Sequence, residues 1–161
     1  NGEFKLNILD QLKSTKFGVP YRKKPVSLKV FYKYTPGALY YKTEKVSNGN
    51  STINTAVEMP NTKDTCSINA YLYEVSSYDE TLDGSNINTS PSVIMKASLI
   101  DGNSTSSYTE RTINFTETGN GTFDPSKKYK LAIVCTPSKD GDQFMGAEST
   151  LWIKHMEIIS E

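Results

Sequence analysis

Between Lys128 and Glu161 two apolar runs bracket a loop that no regular element can absorb, and this arrangement limits the chain more than any other stretch. Tyr129 to Cys135 alternates, with Leu131, Ile133 and Cys135 on one face. Thr150 to Ile159 is β-branched and apolar. Pro137, Gly141 and Gly146 lie between them, residues that interrupt ladders or permit positive φ. Two strands joined by a wide polar loop predict the closing layer of a β-sandwich, with the loop at one rim.

The upstream sequence repeats the same period. Ser27 to Tyr34 puts Leu28, Val30, Tyr32 and Tyr34 on one face, which reads as core, and Lys29, Phe31 and Lys33 on the other. Cys66 to Val75 sets Ile68, Ala70 and Leu72 inward and Tyr71, Tyr73 and Val75 the other way. Ser92 to Asp101 reads as a strand, Asp101-Gly102-Asn103 as a turn, and Tyr108 to Phe115 as its hairpin partner. Residues 3–8 predict a short strand and 8–14 a helical turn, with Gly18-Val19-Pro20-Tyr21 breaking the pattern. The polar run 43–61 carries weak strand signal and reads as a long surface connection; 76–91 and 116–125 read as loops. The sum is all-β: one antiparallel, jelly-roll-like β-sandwich over residues 1–161, with little helix.

Charge and cysteine content remove several function classes. Net charge is zero and the pI about 6.8, which provides no electrostatic funnel for nucleic acid. The basic cluster Arg22-Lys23-Lys24 reads as a solvated strand start. No apolar run reaches the ~20 residues of a membrane-spanning helix. The Thr, Ser, Asn and Tyr content suits an extracellular β-domain, and in so Asn-rich a chain the sequons at Asn50, Asn88, Asn103, Asn114 and Asn120 read as chance. Cys66 and Cys135 both take inward parity; two buried free thiols are expected, with a bridge the alternative if their strands are neighbours. His155 is the only histidine, so no Cys/His set has metal spacing.

Two blocks of residues resemble a known family. The first is Gly18-Val19-Pro20-Tyr21, Lys24-Pro25-Val26-Ser27-Leu28 and Tyr32-Lys33-Tyr34-Thr35-Pro36-Gly37. The second is Ile133 to Ser138, then Gly141-Asp142-Gln143-Phe144-Met145-Gly146, then Leu151-Trp152-Ile153. Together they resemble the putative carbohydrate metabolism domain family of secreted or surface proteins from gut anaerobes. The resemblance spans about residues 4–159 and looks like the C-terminal two-thirds of that domain. It implies a sandwich similar to carbohydrate-binding modules and an extracellular or cell-surface setting, as an outer-membrane lipoprotein or a secreted protein of which this chain is the C-terminal part. No catalytic residues are established for the family, so none is carried over. Ala147-Glu148 and Lys154-His155 stand where the family commonly has a glycine step and an aspartate pair, and no role for that pair transfers.

Chemistry narrows the site. A glycosidase needs two carboxylates across a cleft; Asp140, Asp142 and Glu148 share one loop, and Asp101 and Glu110 lie near the expected hairpin. Acids in turns are the ordinary state of β-proteins, and no catalytic set is assigned. Asp140 and Asp142 make only a weak calcium site, so no cofactor is expected. Sugar binding needs flat aromatic surfaces edged by polar groups. The expected ligand-contacting set is Trp152, Tyr71 and Tyr73, with Asp142. The competing reading packs both tyrosines in the core and covers Trp152 with a preceding segment; Phe144, close to two glycines, reads as a plug for its loop. Trp152 faces out only if Lys154-His155 forms a bulge that returns Met156 and Ile158 to the side of Leu151 and Ile153. The expected function is a non-catalytic carbohydrate-binding or glycan-processing accessory module, its partner a glycan or a neighbouring domain. A glycoside hydrolase acting on a plant or host polysaccharide and a structural or adhesion domain are the alternatives.

Overall fold

Alternating apolar residues pair into ladders because each strand then buries one face and leaves the other wet. The computed structural model of this chain describes residues 3–4, 10–49, 51–141 and 144–161. The strands, in chain order, are β1 (Glu3–Phe4), β2 (Thr15–Phe17), β3 (Val19–Tyr21), β4 (Pro25–Thr35), β5 (Tyr40–Asn48), β6 (Ser51–Glu58) and β7 (Cys66–Val75). They continue with β8 (Leu82–Asp83), β9 (Val93–Asp101), β10 (Thr109–Asn114), β11 (Thr116–Glu117), β12 (Lys128–Thr136), β13 (Phe144–Gly146) and β14 (Thr150–Ser160). A 3-10 turn at Gln11–Ser14 is the only helical element among the described residues, and it covers the end of the expected helical turn. Most of the strand expected over 3–8 falls outside the described residues; Glu3–Phe4 is strand.

The chain is an antiparallel β-sandwich. A three-stranded sheet, β10-β4-β14, faces a five-stranded one, β11-β9-β7-β12-β3. From β4 come Leu28, Val30, Tyr32 and Tyr34, all 0% exposed. Opposite them β7 supplies Cys66, Ile68, Ala70 and Leu72. Its neighbours extend each row: Leu99–Ile68–Cys135, Ala97–Ala70–Ile133 and Met95–Leu72–Leu131 lie in register across β9, β7 and β12. Cys135 and Cys66 stay free thiols in this core, with the Cys135 sulfur 3.9 Å from that of Met156.

Three expectations are corrected. Residues 109–114 do not form a hairpin with β9; they pair with β4, Ile113 opposite Leu28. Residues 102–108 carry the chain from one sheet to the other, fastened where the Thr105 amide donates to the Tyr34 carbonyl and the Tyr34 amide to the Thr105 hydroxyl. That placement gains an inner-face apolar residue beside Leu28, which a hairpin on β9 would not. β12 and β14 likewise lie in opposite sheets rather than in one layer, so the loop between them arches over the rim. Finally, 43–61 is not irregular: β5 and β6 pair along most of that stretch, Val46 opposite Ile53, in a three-stranded sheet with β13. Gly49, at φ 61°, supplies the left-handed turn. Both faces of this hairpin are largely solvated, which hides it from a burial-based reading of the sequence.

The five-stranded sheet is covered on its outer side too. Tyr71, Tyr73, Val75, Val93 and Ala132 form a second cluster with Ile87, and Phe17, Tyr78 and Leu82 pack on it. Gly18, at φ 99°, lies so close to the Tyr73 ring that a side chain there would overlap it.

Candidate functional site

The two sequence blocks singled out above meet at one rim. The Tyr34 hydroxyl donates to the Pro137 carbonyl at 2.9 Å, the Ala147 amide to the Leu39 carbonyl at 2.8 Å, and the Gly37 amide to the Ser149 hydroxyl at 2.9 Å. A Cβ on Gly37 would overlap the Ala147 carbonyl oxygen. At the centre is Asp64, 2% exposed. Its Oδ2 accepts from Ser138 Oγ at 2.5 Å, Ser149 Oγ at 2.6 Å and the Gly146 amide at 2.9 Å, and its Oδ1 from the Thr65 amide at 2.8 Å. A buried carboxylate is stable when donors replace its water; this one is saturated and holds the arch between β12 and β14. Buried as it is, it presents no face to a substrate. Sequence reasoning missed Asp64, because an acid just before a strand looks like any turn acid.

The outer face of β10-β4-β14 is open. β14 shifts register between Ile153 and His155: Ile153 lies opposite Tyr32 and His155 opposite Phe31, leaving Lys154 as the extra residue. That bulge is the condition on which an outward Trp152 depended. It brings Leu151, Ile153, Met156 and Ile158 all against the core and turns Trp152 outward, 38% exposed. Trp152 lies opposite Lys33, whose Nζ is 4.2 Å from its ring centroid. Lys154 Nζ reaches to 5.9 Å from the Phe31 ring and 5.8 Å from that of Tyr108, itself 40% exposed. Glu110 and His155 flank Phe31, and Thr112 and Glu157 flank Lys29 in the next row. Exposed cation–π contacts are worth ~0.5–1 kcal/mol, enough to hold the ammonium groups over the rings yet weak enough for a ligand to exchange. Flat rings edged by charged groups are the surface that pyranose faces and hydroxyls require.

Tyr71 and Tyr73 do not join this surface. Each is 1% exposed. Their hydroxyls are spent on Asn88 Oδ1 and the Phe17 carbonyl, both at 2.6 Å, so the parity that suggested an open platform marks the second core instead. Burial pushes Tyr71 up to about 12. Asp142 and the side chain of Phe144 lie outside the described residues. Of the other acids considered for glycosidase chemistry, Asp140 pairs with Lys139 at 2.7 Å, and Asp101 accepts from Tyr32 at 2.6 Å and from the Asn103 amide at 2.9 Å. Glu110 is exposed on the outer face and Glu148 at the rim.

A cleft of about 390 Å³ at another edge is lined by Glu74, Glu80, Ser92 and Asn120, among others. Its acids are engaged: Glu74 pairs with Lys127 at 2.8 Å, and Glu80 accepts from the Ser76 and Ser77 amides at 3.0 and 2.8 Å. Among the described residues no three His, Cys, Asp or Glu side chains gather where they could hold a metal ion.

Residues 1–159 match the family model described as putative carbohydrate metabolism domain. The crystal structure of a putative glycoside hydrolase from Bacteroides thetaiotaomicron is similar, with a TM-score of 0.75 at 32% identity, over 94% of this chain and 42% of that one. That of a putative glycoside hydrolase from Bacteroides vulgatus has a TM-score of 0.69 at 28% identity, over 93% of this chain and 57% of that one. The chain thus spans 42% and 57% of the two solved proteins' lengths. A search of the curated proteins returned no match.

Proposed function

Because this chain belongs to the putative carbohydrate metabolism domain family, we propose that it is a non-catalytic carbohydrate-binding module that takes glycan on the outer face of β10-β4-β14. The observation that carries this reading is Trp152, turned out of the core by the bulge at Lys154 and lying against Lys33, on the face where Lys154 reaches over Phe31 and Tyr108. The module works as an accessory to a neighbouring domain of a secreted or surface-attached protein, on a jelly-roll-like scaffold. Asp64, Tyr71 and Tyr73 support the face by keeping the sandwich rigid and take no part in contact with sugar.

A second reading, glycoside hydrolase, is favoured by the names of the two solved relatives and by Glu110 and Glu157 on the same outer face. A glycan array paired with a reducing-sugar release assay separates the readings. Binding without release, weakened ~1–3 kcal/mol by Trp152→Ala, is expected for the module. Release that Glu110→Gln or Glu157→Gln abolishes establishes the hydrolase. Silence in both assays leaves a structural or adhesion domain.

A further inference from the structure

The charge of the Trp152 face carries one step beyond glycan binding. Lys128 and Lys130 donate to backbone carbonyls and Lys96 lies over the Tyr71 ring, while six other lysines pair with carboxylates: Lys13 with Asp10, Lys16 with Asp83, Lys24 with Glu161, Lys42 with Glu44, Lys127 with Glu74 and Lys139 with Asp140. Among the described residues Lys29, Lys33 and Lys154 have no such partner, although Glu110 and Glu157 share their face. Two of the three ammonium groups are instead held over aromatic rings.

Their spacing follows the sheet. Lys33 and Lys29 stand four residues apart on β4, roughly 13 Å along the strand, and Lys154 enters at the bulge between them. An extended oligosaccharide lying along β4 therefore meets a cation at each step. The ring of Trp152 adds a selection. A neutral sugar stacking on the side that Lys33 occupies must push the ammonium aside, whereas a sugar bearing an anionic group gives that ammonium an ion pair when it moves.

Resting on the glycan-binding reading above, we propose that the Trp152 face takes an acidic oligosaccharide, one carrying carboxylate or sulfate groups, with Lys33, Lys154 and Lys29 as the anion-binding residues. Titration of the full chain with a galacturonate oligomer, a sulfated galactose oligomer and a neutral galactose oligomer of equal length tests it. At low salt at least one acidic oligomer is expected to bind about tenfold more tightly than the neutral one, and the advantage is expected to shrink at ~0.3 M salt as exposed charges are screened. Which acidic arm leads separates carboxylate from sulfate. The double variant Lys33→Gln/Lys154→Gln, with its circular dichroism unchanged, is expected to bind the acidic and neutral oligomers alike. Neutral binding as tight as acidic, lost in Trp152→Ala, overturns the acidic preference and leaves the glycan reading standing. An acidic preference that survives the double variant overturns the assignment to these lysines. No binding in any arm overturns both readings.

Discussion

The Asp64 carboxylate stands where a side chain on Gly146 would go: a Cβ at that glycine would lie 2.6 Å from Asp64 Oδ2 and 2.7 Å from Asp64 Cβ. Position 146 therefore excludes a side chain for steric reasons, and the amide it leaves accessible is one of the donors that replace water around the buried acid.

Asp64→Asn is expected to cost about 2–3 kcal/mol. The Ser138 and Ser149 hydroxyls can rotate, but the Gly146 amide faces Oδ2 and the Thr65 amide faces Oδ1. Neither amide can turn, so either orientation of an asparagine sets its NH2 against a backbone N–H. A lowered urea midpoint with an unchanged slope checks this; an unchanged midpoint would show that the arch is held by something else. Gly146→Ala is expected to destabilise in the same way.

Deleting Lys154 removes the bulge residue. Leu151 and Ile153, or Met156 and Ile158, must then turn to solvent, since a one-residue slip moves every side chain downstream to the other face. The expected loss is about 3 kcal/mol or more, whereas Lys154→Ala, which keeps the residue count, is expected to cost no more than the ~1 kcal/mol of its exposed cation–π contacts. The single tryptophan reports on the native arrangement: iodide is expected to quench its emission in the wild-type protein, and protection from iodide would contradict the outward placement.

Acid is expected to unfold the sandwich through Asp101 and Asp83. At Asp101 burial acts to raise the carboxyl, but donors from Tyr32 and Asn103 and the Arg111 charge hold it below its ordinary value of 3.8. At Asp83 burial is likewise outweighed, by Ser85 and Lys16. In both cases the folded state binds fewer protons than the unfolded chain as pH falls below about 3.8. The stability these acids contribute is therefore complete above that value and lost on descending through the lower folded-state values. Urea midpoints between pH 5 and pH 2 should fall, and fall less steeply in Asp101→Asn.

The two thiols are expected to resist labelling at neutral pH. Burial pushes Cys66 up to about 12 and Cys135 up to about 11, so neither presents a thiolate. A disulfide-exchange reagent should titrate both only in denaturant, with Cys135, the less buried, reacting first in partly destabilising conditions. Rapid reaction of the folded protein would contradict the packing described.

Much of the sandwich was legible because period-two alternation is a local property. Leu28 to Tyr34 and Ile68 to Leu72 declare their inner face without reference to any partner. The outward turn of Trp152 was legible for the same reason: Leu151 and Ile153 fall out of phase with Met156 and Ile158, and one extra residue near Lys154 reconciles them. The β5–β6 hairpin was not, because strands solvated on both sides carry no alternation, although Asn48-Gly49 marked its turn.

What the sequence by itself determined is the main-core face of the alternating strands β4, β7 and β12, since that face follows from backbone geometry and the water-avoidance of neighbouring side chains. The tertiary structure alone decided which strands pair, and with that the site. Residues 109–114 joined β4 rather than β9, so Glu110 and Tyr108 came beside Phe31 and Lys154. Residues 76–91 folded over β7, so Tyr71 and Tyr73 were enclosed rather than displayed. Asp64 became the centre of the rim only because Ser138, Gly146 and Ser149 arrive there from more than seventy residues away. Pairing and enclosure depend on which distant surfaces exclude water together, and no local pattern in the chain records that.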